Sequence, residues 1–114
     1  MNFDAVAIDF ETTGSVPGFP VEPWQVGLAP IHRKDVSSEN LFESLLRIDE
    51  RPFNRYAPGR HAKLRVELAS SPSFHDIWPI LEKYLCGQVL IAHNVGTERS
   101  MLSAYAPFIA LVPG

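Results

Sequence analysis

Asp9 and Glu11 stand two residues apart in the run AVAIDFETTG, residues 5–14, at the end of the first apolar stretch of the chain. On an extended backbone, residues two apart project from one sheet face, so the two carboxylates share a face. Ala5 and Ala7 precede them there and leave room, while Val6, Ile8 and Phe10 point into the opposite layer. Two carboxylates crowded at the end of a buried strand repel one another and lose hydration, and an uncompensated buried charge is costly. A divalent cation offsets that cost, and hard oxygen ligands suit Mg²⁺ or Mn²⁺. The plainer alternative is a strand that surfaces at its end and wets both acids. A third acid, Glu98, follows in AHNVGTE, residues 92–98. It falls in the first turn or so of a helix whose N-cap is Asn94, where an acid also complements the helix dipole.

These residues meet only if the elements bring them together. Residues 3–10 read as a strand by alternation, and TTGSVPGFPVEP closes it as a turn-rich loop. WQVGLAPIHR (24–33) and LFESLLRI (41–48) are the candidate second and third strands, with KDVSSEN as a hairpin connection. Residues 49–60 read as irregular and 61–69 as a short helix. Phe74, Ile77, Trp78, Leu81 and Leu85 recur at helical spacing after Ser and Pro cap chemistry, which predicts a helix over 73–86 ending at Gly87. Pro79 is tolerable within its first two turns. QVLIA (88–92) has the continuous apolar character of a central parallel strand. Strand, strand, strand, helix, strand, helix predicts a mixed sheet, an antiparallel meander plus a parallel strand, with helices packed on it. If 88–92 lies parallel to 3–10 and beside it, Asp9, Glu11 and Glu98 share the edge where open α/β sheets place ligands.

A chain of 114 residues fits one domain with a real core. A lone cysteine, Cys86, excludes an internal disulfide framework and suits a packing role in a reducing compartment. The start has neither a basic n-region nor a long apolar h-region. No stretch approaches the ~20 apolar residues of a membrane span, so a cytoplasmic protein with no membrane partner is expected. The net charge is −3, yet six of the ten Lys and Arg residues fall between Arg47 and Arg65, against only Asp49 and Glu50. That window is either a solvated loop or a basic rail for a phosphate backbone.

The runs IDFETTG and IAHN, with an acid four residues after the Asn, resemble the first two motifs of the DEDD 3′–5′ exonucleases. That family includes the epsilon proofreading subunit of bacterial DNA polymerase III, ribonuclease T and oligoribonuclease. WQVGLAPI stands where the family has its second strand. RHAKLRVELASSPSFHDIWPILEKYL is similar to the segment and helix leading into the second motif, so the likeness covers essentially the whole chain. The resemblance implies a ribonuclease H-like fold and a two-metal phosphodiester hydrolase acting on the 3′ end of single-stranded DNA or RNA. By that likeness Asp9 would bridge two Mg²⁺ or Mn²⁺ ions, Glu11 would ligate one, and Glu98 would support the second directly or through water. Thr12 and Thr13 would lie near the 3′-terminal nucleotide, with His61 and Asn94 also on the substrate side, and a polymerase is an implied partner.

Two features depart from the family pattern. The acid of the second motif is Glu98 instead of Asp, one methylene longer. The third motif, a general-base His followed five residues later by an Asp, has no counterpart: after Glu98 the sequence holds no His, Asp or Glu. The apolar YAPFIALVPG leads to the expectation of the N-terminal part of a longer exonuclease domain, weak or inert alone. A second copy of the chain covering exposed core surface is a further partner. His93 reads as a junction residue bonded to backbone and His32 and His75 as surface positions, so no general base is assigned. The competing function is an inactive nuclease-like module that binds nucleic acid or a protein.

Overall fold

The computed structural model describes residues 3–57 and 61–106. β1, Ala5–Thr12, runs two residues past the predicted end and so includes Glu11. β2, Pro23–His32, pairs with it antiparallel, Val6 opposite Pro30 and Asp9 opposite Gly27. The other edge of β2 is divided between two short strands, also antiparallel. β3, Asp35–Val36, lies inside the predicted connection, and β4, Phe42–Leu45, is all that forms of the predicted strand 41–48.

The segment predicted as one helix over 61–69 is a single tight turn, His61–Lys63, followed by α1, Arg65–Ser70. α2, Phe74–Leu85, agrees with the periodicity. Its start is a capping box: the Ser73 hydroxyl accepts from the Asp76 N–H at 3.1 Å and the Asp76 carboxylate accepts from the Ser73 N–H at 3.0 Å. Those two bonds hold the Asp76 carboxyl below its ordinary range. β5, Leu90–Ile91, pairs parallel with β1, Leu90 beside Val6 and Ile91 beside Ala7. α3, Val95–Tyr105, follows, with the Asn94 side chain accepting from the Thr97 N–H at 3.4 Å.

The result is an α/β domain with a mixed sheet in the order β3-β2-β1-β5, β4 also on β2, and flanking helices. One expectation is overturned in place. Residues 88–92 do not form a central strand. β5 is two residues long and lies at the edge among the described residues, so Ile91 has one strand neighbour and is 48% exposed.

Alternation decides which face is packed. Val6, Ile8 and Phe10 of β1 and Val26 and Leu28 of β2 form the main core with Phe74, Ile77, Trp78, Leu81 and Leu85 of α2. α3 adds Met101 and Leu102. Removing each such side chain from water contributes roughly 1.5–3 kcal/mol, so α2 is the chief anchor of the sheet. Trp24, Ile48 and Leu68 make a smaller cluster behind the bulged end of β2. Cys86 is not a packing residue. It is exposed at the C-cap of α2, one residue beyond the last core position. No helix among the described residues is long and apolar enough to cross a membrane. The stretch 107–114, on which the reading of an unclosed end rests, lies outside the described residues.

Candidate carboxylate site at the end of β1

Asp9 and Glu11 lie on the face of β1 opposite the core. Asp9 is exposed and faces Gly27 of β2, where even a Cβ would meet nothing within 4 Å. Glu11 is half-buried opposite Gln25. Immediately beyond, the register shifts, Thr12 pairing with Pro23 and leaving Trp24 extra on β2. The buried Trp24 indole donates to the Thr12 carbonyl at 3.2 Å, so the bulge is held by a specific bond.

Glu98 reaches this end of β1 from α3. It is 4% exposed, and its Oε1 accepts from the Phe10 N–H at 3.1 Å. Phe10 is the residue between Asp9 and Glu11, so the third carboxylate stands against the backbone that joins the other two. Its Oε2 is buried without a hydrogen-bond partner. The grouping is electrostatically visible at Glu11, whose carboxyl is pushed above its ordinary range, first by burial and then by the charges of Asp9 and Glu98. The three side chains share one strand end without closing on one another. Among the described residues, no group of three or more His, Cys, Asp or Glu is gathered so as to hold a metal ion. An all-oxygen donor set and an orphaned buried carboxylate oxygen fit a hard divalent cation.

The remaining predicted residues have traceable positions. The Thr12 hydroxyl accepts from the Gly14 N–H at 3.2 Å. Thr13 is fully buried, its hydroxyl donating to the Gly14 carbonyl at 3.1 Å and accepting from the Glu22 N–H at 3.1 Å, so it staples the loop after β1. Gly14 has φ +69, and a Cβ there would come within 2.7 Å of the Asn54 Cβ, so glycine is required where the loop passes residues 54–57. His61 stacks on Phe53, centroids 4.6 Å apart, and meets Trp24 edge-on. Its Nε2 lies 3.1 Å from the Ala57 carbonyl, and its Nδ1 is buried with no partner. Asn94 is exposed at the cap of α3. His93, His32 and His75 are exposed, His93 at the junction of β5 and α3.

Of the basic window, Arg51 and Arg65 are drawn into the fold, while Arg47, Arg55 and Lys63 stay exposed. Arg51 is 6% exposed, pairs with Glu22 at 2.9 Å, bonds the Pro20 carbonyl and lies over the Phe19 ring. Arg65 donates to the Arg51 carbonyl and covers Phe53 at 4.0 Å, and Arg47 donates to the Ser71 carbonyl at 3.0 Å. Arg55 folds over Tyr56 at 4.7 Å, whereas Lys63 is exposed; Arg60 lies outside the described residues. The Arg51 and Arg65 guanidiniums tie the loops around the end of β1 together.

Two open grooves flank the acids on the uncovered sheet face. One, about 650 Å³, is lined by Asp9, Gly27, Glu43, Ile91 and His93 among others. The second, about 590 Å³, is lined by Glu11, Trp24, Gln25, Glu43, Leu45 and Leu64. Glu43 belongs to both and accepts a hydrogen bond from the Gln25 amide. Sequence reasoning missed Glu43 and Gln25. Alternation in FESL marks Glu43 as outward-facing, but only strand register shows that it shares a cross-strand row with Asp9, one strand beyond Gly27. Comparison of the chain with protein-family models gives no match, and comparison with curated proteins gives none.

Proposed function

We propose that this α/β domain is ribonuclease H-like and that it carries the carboxylate site of a metal-dependent 3′–5′ exonuclease of the DEDD type. The observation that supports this most is the arrival of the buried Glu98 carboxylate at the Phe10 N–H, between Asp9 and Glu11. Asp9, Glu11 and Glu98 would hold Mg²⁺ or Mn²⁺. When bound, such ions supply Lewis-acid stabilisation of charge on a phosphoryl group and a water of lowered pKa. The residues themselves offer a graded set of oxygens. Asp9 is accessible from the open face, Glu11 is held partly out of water, and Glu98 is buried and fixed by the backbone. The open grooves beside Asp9 and Glu11 leave room for an unpaired strand end, with single-stranded DNA or RNA as substrate.

An inactive nuclease-like module is the competing reading, favoured by the separation of the three carboxylates. A 3′-labelled single-stranded oligonucleotide incubated with Mg²⁺ or Mn²⁺ separates the two. Stepwise shortening from the 3′ end that disappears in Asp9→Ala is the expected result. Binding without hydrolysis supports the module, and hydrolysis that survives Asp9→Ala removes Asp9 from the chemistry.

A further inference from the structure

Along β1, N–H groups of alternate residues face β5. The Val6 N–H donates to the Val89 carbonyl at 2.9 Å, and Phe10, four residues on, faces the same edge. β5 ends at Ile91, and the chain turns at Asn94 into α3, so the strand supplies no carbonyl opposite Phe10. A buried strand N–H needs an acceptor. Glu98 Oε1 takes that place at 3.1 Å and continues the ladder with a side chain. A neutral acceptor would satisfy Phe10 as well. The carboxylate instead leaves a second oxygen, Oε2, buried and unpartnered at the strand end that carries Asp9 and Glu11. α3 is also held by Met101 and Leu102 in the core, by the Tyr105 ring against Phe74, and by the Tyr105 hydroxyl donating to the Val21 carbonyl at 2.9 Å.

We propose that Glu98 makes cation binding and the closure of α3 onto β1 one equilibrium. Oε1 closes the β1 ladder at Phe10 and fixes the backbone between Asp9 and Glu11. Oε2 takes part in cation binding from the same carboxylate. This rests on the cation-binding reading of the site. Without a cation the closed state carries a buried, half-paired charge beside two others; with one, that charge is compensated and the α3–β1 contact tightens. The extra methylene of Glu over Asp gives the reach from α3 to the strand.

The full chain and the variants Glu98→Gln and Glu98→Asp test this by thermal unfolding in EDTA and in Mg²⁺, with hydrogen exchange at the Phe10 amide. Glu98→Gln keeps an acceptor for Phe10 and removes the charge. Its Tm in EDTA should exceed that of the parent by about 4 °C, and the Mg²⁺-dependent rise seen in the parent should vanish. Glu98→Asp keeps the charge and loses the reach, so exchange at Phe10 should accelerate at least about tenfold. A lower Tm for Glu98→Gln in EDTA, or unchanged Phe10 exchange in Glu98→Asp, overturns the proposal. An equal Mg²⁺ shift in the parent and Glu98→Gln ends the coupling while leaving the cation reading intact. No Mg²⁺ shift in the parent removes both.

Discussion

The two faces of the sheet are made by the same strands and behave as different materials. On one face Val6, Ile8, Phe10, Val26 and Leu28 meet five side chains of α2 and are nearly sealed from water. On the other, Ala7, Gly27 and Ala29 form a floor of small residues, with Asp9 and Glu43 standing above it and Ile91 at the margin. The packed face holds the domain together, and the open face carries polar chemistry that a sealed layer would make costly. Glu98 belongs to neither. It lies in the rim where the ladder of β1 runs out, and there burial and charge coincide.

This contrast has consequences of unequal size. Leu81 is fully buried in the packed layer. Leu81→Ala should destabilise the domain by about 3 kcal/mol, read by urea denaturation. A cost below about 1 kcal/mol would mean that the α2 face does not anchor the sheet. An intermediate effect comes from the rim, and its sign depends on pH. The Glu11 carboxyl is raised in the folded state, so the folded protein holds that proton more tightly than the unfolded chain. The associated stability is present below the ordinary carboxylate range and is lost as pH rises through the raised value. Asp76 has the opposite shift, so its contribution is present above the ordinary range and is lost as pH falls through the lowered value. Glu11→Gln should therefore flatten the decline in stability on raising pH through the upper carboxylate range, and Asp76→Asn should flatten the decline on acidification. Denaturation series across that range read both, and equal slopes in parent and variants would contradict the assignment. The smallest effect belongs to the open face. A Cβ at Gly27 meets nothing, so Gly27→Ala should change stability by no more than about 0.5 kcal/mol. A larger loss would show that the face is covered.

Much of this was legible in the residues alone. The alternation of AVAIDFET assigned Asp9 and Glu11 to one face, and the spacing of Phe74, Ile77, Trp78, Leu81 and Leu85 predicted α2 and its buried side, because local periodicity carries the burial pattern. The cap at Asn94 was equally local. The extent of β4 and the edge position of β5 were not, because an apolar run states that a segment avoids water without stating how many neighbours it has. The basic window misled for a related reason. Charge counts along a chain do not reveal that Arg51 and Arg65 are spent on carbonyls and aromatic rings.

By itself the sequence determined which side chains alternate, which helices can form and which residues can act as oxygen ligands, since these depend on neighbours within a few positions. Only the tertiary structure decided that Glu98, 88 positions from Phe10, stands at its amide, and that Glu43 shares a cross-strand row with Gly27 and Asp9. Register and crossover set those distances, and they arise from packing the whole sheet against α2 and α3.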